Sequence, residues 1–272
     1  GDPTTIHVAA GVYSPDLTGE VFPINIPNDV HLIGEDPETT ILDADADTTN
    51  EAATMIIKEV ENVRVANLTI TGGSSKGHGC TGGGGLLITA NDMWNLQGET
   101  TISDVEIENV IIRNNTSFNG AGLSLMRVSG FDLNNVIIDQ NAAIYKGGGI
   151  SARSSSGTMT NVSITENTTL YTGVAAHILN STITMNRCHI ADNSSETAFS
   201  TVDIDSLSTV DIINSNIVRN TVWGGAGIIS YSTGHFRIVN SIIYDNQKIN
   251  TNETTVLMNA DIWPGGYSGD YF

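Results

Sequence analysis

The chain has 272 residues, 11 Lys and Arg against 30 Asp and Glu, and a formal charge of −19. That balance repels a phosphate backbone, which excludes nucleic acid as a partner, and no apolar run reaches the roughly 18 to 20 residues of a membrane-spanning helix, which excludes membrane insertion. Aromatics make up 6% and charged residues 15%, while Gly, Asn, Ser and Thr abound, a composition suited to short strands and tight turns and poor for helices.

The chain begins at Gly1-Asp2-Pro3 without a charged-then-apolar leader and ends at Tyr271-Phe272 without a recognisable cap. Those ends point to a mature or excised piece of a longer polypeptide with flanking domains. Residues 1 to about 60 are irregular, with strands expected at Thr5-Val8, Phe22-Ile26, Val30-Ile33, Thr40-Leu42 and Met55-Lys58. Within them Asp43, Asp45 and Asp47 alternate; a strand there would place all three on one side, where a hard cation such as calcium would be held, and the alternative is a charged loop.

From residue 61 to 250 a repeat takes over, with 251–272 as a C-terminal segment of one 1–272 domain. Asn115, Asn141, Asn167, Asn193, Asn220 and Asn246 recur every 26 residues, with one step of 27. Each closes a seven-residue phrase such as NVIIRNN, NVIIDQN or NVSITEN, led by Asn109, Asn135, Asn161, Arg187, Asn214 and Asn240. Asn67-Leu-Thr-Ile70 starts the phrase early but reaches Gly73, and the surplus before Asn115 falls at 76–85 and 90–101, within an inserted stretch of about 74–101. Each period holds three strand-like pieces: one ending in the phrase, one after a glycine cluster (GAGLSLMR, GGGISAR, GAGIISY), and one before the next phrase.

Three short strands per period, each pairing with its equivalent one period on, make a parallel β-helix. The expected fold is therefore all-β, a right-handed solenoid of eight or nine coils stacked about 4.8 Å apart. The recurrent Asn becomes a ladder of amides, and Ile112, Ile138, Ile164, Ile190, Ile217 and Ile243 become an aliphatic stack. The Asn-x-Ser/Thr matches are by-products of the repeat. Cys188 takes the place of Val136 and Val162 and reads as a small core residue rather than half of a bridge to Cys80.

The paired GGGI or GAGI and I-x-x-N phrases resemble the repeats of bacterial polymorphic outer-membrane proteins, with Ile or Val mostly replacing Phe. The opening from Thr5 to Ala44, TIHVAAGVYSPDLTGEVFPINIPNDVHLIGEDPETTILDA, resembles an uncharacterised bacterial family of right-handed β-helix proteins in the pectate-lyase-like superfamily. The resemblance implies the fold and leaves open an activity among lyases, hydrolases, epimerases, tailspikes and adhesins. Gly77-His78-Gly79 resembles an element of polygalacturonases, but the companion Asn-Thr-Asp, Asp-Asp and Arg-Ile-Lys elements are absent.

Candidate chemistry follows from the coil register. If Leu123, Ile150, Val174, Val202 and Ile228 point inward, then Met126, Arg153, His177, Asp205 and Tyr231 stack outward, with Asp203 beside them. Arg153, His177 and Asp205 would then form an acid-base cluster, or a charge-complementary ladder on a wet face. Tyr145, Tyr171, Phe199 and Trp223, in the loop between the Asn and the glycine cluster, either bind a glycan together with Tyr231 and Asp203 or fill gaps between coils. Three functions stand: an extracellular or cell-surface bacterial module that binds a polysaccharide or cell-surface glycan, a polysaccharide lyase acting at the Arg153-His177-Asp205 face, and a purely structural segment of an adhesin. No cofactor is implied beyond calcium.

Overall fold

The computed structural model describes residues 2–75, 82–90, 102–205, 207–225, 227–230, 235–250, 256–259 and 262–264. It is a parallel β-helix with nine rungs in one wall: strands Ile24–Ile26, Met55–Lys58, Leu86–Thr89, Leu123–Met126, Ile150–Arg153, Ala176–Leu179, Val202–Ile204, Ile228–Ser230 and Ile262–Pro264. The strand before each phrase and the strand inside it belong to one 17-stranded sheet that bends between them. Helix is confined, among the described residues, to Pro15–Thr18, whose first turn is capped by the Ser14 side chain. No helix there is long and apolar enough to cross a membrane.

The five expected N-terminal strands appear at Thr4–Val8, Ile24–Ile26, Val30–Gly34, Thr40–Asp43 and Met55–Lys58, with a further one at Gly11–Tyr13. The alternating strand through Asp43, Asp45 and Asp47 does not form. The strand ends at Asp43, Asp45 adopts φ 45, and the carboxylates fold back on their own backbone: Asp43 Oδ1 accepts from Asp45 N at 3.0 Å, and Asp47 Oδ1 from Thr49 N and Asn50 N at 2.7 and 2.9 Å. Short acidic side chains close turns in this way, and the three are not on one strand face. Among the described residues no group of three His, Cys, Asp or Glu side chains is placed to hold a metal ion.

Every coil turns at corners marked by left-handed residues. One column is Asn109, Asn135, Asn161, Arg187, Asn214 and Asn240; a second is Asn114, Gln140, Glu166, Asp192, Arg219 and Asp245; a third is Arg127, Ser154, Asn180 and Leu207, all with φ between 48 and 60. The leading asparagines of the phrase are there for their backbone, because Asn tolerates this conformation better than most residues. Their side chains also join coils, as in Asn161 Nδ2 to Asn135 Oδ1 at 3.0 Å. Arg187, at φ 56, is the exception in its column. Arg187→Asn is expected to raise stability by about 1 kcal/mol, read as a shift in the urea midpoint; an unchanged or lower midpoint would contradict the conformational account.

The closing asparagines do different work. All six are fully buried. Each amide from Asn115 to Asn220 donates to the oxygen of the next, at 2.8 to 3.0 Å, and to a backbone carbonyl one coil below, such as Ile138 O for Asn167. Their oxygens also accept the backbone N–H of the preceding Asn. Serine performs a reduced version at another corner, where Ser155 N and Ser181 N donate to Ser181 Oγ and Ser208 Oγ.

The core fills the space between the walls. Ile112, Ile138, Ile164, Ile190 and Ile217 are at most 1% exposed, and Ile243 packs against them partly buried. Successive coils thus bury identical residues against one another, a one-dimensional stack in which each coil depends on its neighbours. Cys188 is a free, buried thiol whose pKa burial pushes up to about 11, which makes it inert, as suits a small core residue. Cys80, Trp94 and Gly77-His78-Gly79 lie outside the described residues.

Candidate functional site

The third wall is made of two short sheets: Ser74–Ser75, Thr116–Asn119, Ala142–Lys146 and Thr168–Thr169 form one, all parallel, and Ser194–Ser195, Thr221–Val222 and Gln247–Asn250, after the later closing asparagines, stack in parallel in the other, which Val256–Asn259 joins antiparallel. The segment expected as a loop is therefore partly a strand, and stacking of its coils brings the aromatic residues into register. Phe118 lies 5.4 Å from Tyr145, and Tyr145 lies 4.7 Å from Tyr171, ring centre to ring centre and nearly parallel. The row then turns: Tyr171 to Phe199 is 5.7 Å at 78°, and Phe199 to Trp223 is 5.3 Å at 84°. Such pairs stabilise by about 0.5–1.5 kcal/mol each beyond area burial. The last four rings remain 37 to 43% exposed, so the row both joins the coils and faces solvent.

Beside the row stands the outward column of the nine-stranded wall. Ile150 pairs with Ala176, not with Val174, so Ser151, His177 and Asp203 are in register and Arg153 lies opposite Leu179. Arg153 is thereby removed from the rung expected to hold it beside His177. The reason lies in the glycine that turns the chain into this strand. Gly120, Gly147 and Gly173 occupy the same left-handed position, at φ 55, 65 and 63, three residues before the inward Leu123, Ile150 and Ala176. Val174 and Ala175 then fall where Gly148 and Gly149 stand one coil earlier, and Val174 is only apparently the inward aliphatic. A side chain at Gly173 would also meet the Cβ of His177 at 2.9 Å.

The structure does bring His177, Asp203 and Asp205 together, and adds Lys146, Thr172 and Ser200, which the sequence reading missed. His177 Nε2 lies 3.9 Å from Asp203 Oδ2 and 3.8 Å from Asp205 Oδ2. Lys146 Nζ is 3.2 Å from the same Nε2. An ammonium can only donate, so this contact is a hydrogen bond where Nε2 presents its lone pair. Lys146 Nζ also stands 5.5 and 5.8 Å from the Tyr145 and Tyr171 ring centres, within cation–π range. The position a bound cation would take next to His177 is thus held by the protein's own ammonium. The one signal for Lys146 was its place after Tyr145, on the coil below His177.

Asp203 is 1% exposed. Its Oδ2 accepts from the Thr172 hydroxyl at 2.9 Å, Thr172 is 2.8 Å from Ser200 Oγ, and Oδ1 is buried with no hydrogen-bond partner. Burial raises the Asp203 pKa, outweighing the opposing influence of His177, the Thr172 hydrogen bond and Lys146. The folded state therefore retains a proton that the unfolded chain releases above the ordinary carboxylate range. Stability from this group is full below that range, falls as pH rises toward the folded pKa, and is flat beyond it. Asp203→Asn, which can accept the same Thr172 hydroxyl, is expected to remove that fall and to melt higher than wild type at neutral pH. A lower melting temperature at neutral pH would show instead that the carboxylate is stabilised by its neighbours.

Tyr231, expected on the same outward line, lies outside the described residues. Other surface ion pairs join coils elsewhere, among them Arg64 with Glu106 and Glu108, Arg219 with Asp192, and Arg237 with Asp211.

The architecture defines the class, a parallel β-helix built of short stacked coils. Residues 1–122 match the family described as "Protein of unknown function (DUF1565)", the part of the chain that includes the opening TIHVAAGVY. No protein of curated function matches the chain. Among solved structures it is similar to a mutant pectin methylesterase in complex with a hexasaccharide, at 12% identity over 97% of this chain and 80% of that one, with a TM-score of 0.41. It is also similar to the A-module of a mannuronan C-5 epimerase from Azotobacter vinelandii, at 14% identity over 88% and 87%, TM-score 0.36. A third is PfbA, a surface adhesin of Streptococcus pneumoniae, at 13% identity over 92% and 72%, TM-score 0.39. These likenesses concern the path of the chain and not its chemistry.

Proposed function

We propose that the protein is an extracellular bacterial recognition module that binds a linear polysaccharide or cell-surface glycan along its aromatic row. The observation that carries this reading is the unbroken succession Tyr145, Tyr171, Phe199 and Trp223, each more than a third exposed and flanked by a polar cluster. The faces of Tyr145 and Tyr171 are turned to each other, so a sugar chain lies across their edges and hydroxyls and meets a differently oriented ring at Phe199. Aromatic side chains with a polar tip supply contact area at low entropic cost. A glycan array of neutral and acidic oligosaccharides tests the reading. Wild type should bind at least one linear glycan, and Tyr171→Ala should weaken it about tenfold or more; a blank array would leave a purely structural rod.

A second reading is supported by Asp203, a buried carboxyl beside the His177 imidazole, a pairing of an acid and a base such as polysaccharide cleavage by a lyase requires. Incubation with uronic-acid polymers, following the absorbance of unsaturated products, separates the two. Product that disappears in His177→Ala supports the enzyme; no product with any polymer removes it.

A further inference from the structure

Beside the aromatic row, on the same coils, the third wall carries an open apolar groove of about 260 Å³ lined by Thr48, Thr116, Ser117, Ala142, Ile144 and Leu170. It lies just ahead of the rings in the chain: Thr116 and Ser117 precede Phe118, Ala142 and Ile144 precede Tyr145, and Leu170 precedes Tyr171. Sites that enclose a whole small ligand run to roughly 300–1,000 Å³, so the groove suits a substituent of a ligand held elsewhere. One edge is the turn that follows Asp43. Asp47 Oδ1 accepts from Thr49 N, the Thr49 hydroxyl and Asn50 N at 2.7, 2.7 and 2.9 Å, and Ala46 N donates to Gly72 O at 2.8 Å, which fixes Thr48 against the wall.

The lining selects the occupant. Among the described residues no ionisable side chain lines the groove. The Thr116 hydroxyl donates to Ser74 Oγ at 3.1 Å and the Ser117 hydroxyl to Asn119 O at 2.9 Å, so neither has a hydrogen left for a ligand. A sugar hydroxyl or an acetamide seated there would recover only part of the hydrogen bonds it makes in water, whereas a methyl group has none to lose. Ile144 and Leu170 are 42 and 62% exposed, aliphatic surface that an apolar partner covers with gain. Charge narrows the ligand further. The chain carries −19, Glu196 is exposed on the next coil of the same wall, Asp205 stands 3.8 Å from His177 Nε2, and Lys146 is taken up at that nitrogen at 3.2 Å. A polyuronate would be repelled and a neutral glycan would not.

We propose that the groove is a subsite for O-acetyl groups, and that the ligand of the aromatic row is an O-acetylated neutral polysaccharide. The proposal rests on the glycan reading above and names the substituent which that reading leaves open. Sugar rings lie across the edges of Tyr145 and Tyr171, and an acetyl methyl on one of them seats against Ile144 and Leu170.

The test uses an array on which neutral linear oligosaccharides are printed in pairs, one O-acetylated and its twin with the acetyl groups removed by mild alkali. Wild type should bind an acetylated member about fivefold or more tighter than its twin. Leu170→Ser should bring the pair within about twofold while leaving the deacetylated twin bound as before, and Tyr171→Ala should weaken both. Ile144→Ser repeats the measurement should Leu170→Ser fail to fold. Twins bound equally, uronic-acid oligomers bound tighter than acetylated neutral ones, or a preference that survives the serine variants would each overturn the subsite and leave the glycan reading in place. A blank array removes both. Methyl resonances of Ile144 and Leu170 that move with protein concentration in the absence of glycan would give the groove to a second copy of the chain and overturn the proposal as well.

Discussion

Asn167→Ala should lower the stability of the protein by about 3–5 kcal/mol. The side chain is fully buried, and its oxygen accepts both Asn141 N and Asn141 Nδ2 at 3.0 Å. Its amide donates to Ile138 O at 2.9 Å and Asn193 Oδ1 at 3.0 Å. Truncation strands two donors and removes the donor from two acceptors where water does not enter, and each buried unmet group costs about 1–3 kcal/mol. Asn167→Ser should lose less, because Ser155, Ser181 and Ser208 show that a hydroxyl can take the backbone N–H of the coil below. Urea unfolding of the three proteins checks the order. Equal stability of Asn167→Ala and wild type would mean the column is redundant with strand pairing.

The second large effect is at Phe131, among the largest fully buried side chains. It pairs with Gly157 on the next coil across a register shift, and a Cβ on Gly157 would stand 2.5 Å from Phe131 Cγ and 2.3 Å from its carbonyl oxygen. The glycine is the space the ring occupies. In later coils the same position is filled by Ile183, Val210 and Phe236. Phe131→Ala is expected to cost about 3–5 kcal/mol and Gly157→Ala about 1–3 kcal/mol. In the double variant the added methyl relieves part of the cavity, so the sum of the single losses should exceed the double loss by about 1 kcal/mol or more. Simple additivity would show that the backbone contact at the carbonyl, and not the ring, excludes a side chain at Gly157.

The period of the closing asparagine was enough to read the parallel β-helix, because a solenoid forces each structural position to recur and leaves that recurrence in the sequence. Two asparagine columns share the period but answer to different physics. One is buried for its amide; the other turns the chain with a left-handed φ, and burial and backbone conformation together distinguish them. Registration inside the coil was harder. Val174 has the look of the inward aliphatic, and counting from it joins Arg153 to His177; counting from the turning glycine Gly173 joins Ser151 to His177 instead. A two-residue slip preserves which face a side chain occupies and changes which residue it touches. Periodicity therefore placed His177, Asp203 and Asp205 on the right wall and could not choose their partners. Lys146 comes from a different wall, and its reach to His177 depends on a flexible side chain that no repeat encodes. The alternation of Asp43, Asp45 and Asp47 misled for a related reason: the Asp43 and Asp47 carboxylates each have a backbone N–H within local reach, and that competes with extension as a strand.

The recognition account is tested most directly by where a ligand touches. With aromatic rings labelled for NMR, the protein would be titrated with the oligosaccharide that the array selects. The account predicts saturable shifts at Tyr145, Tyr171, Phe199 and Trp223, with little change at the buried Phe131. Binding that shifts other surfaces while leaving those four rings unmoved would contradict it.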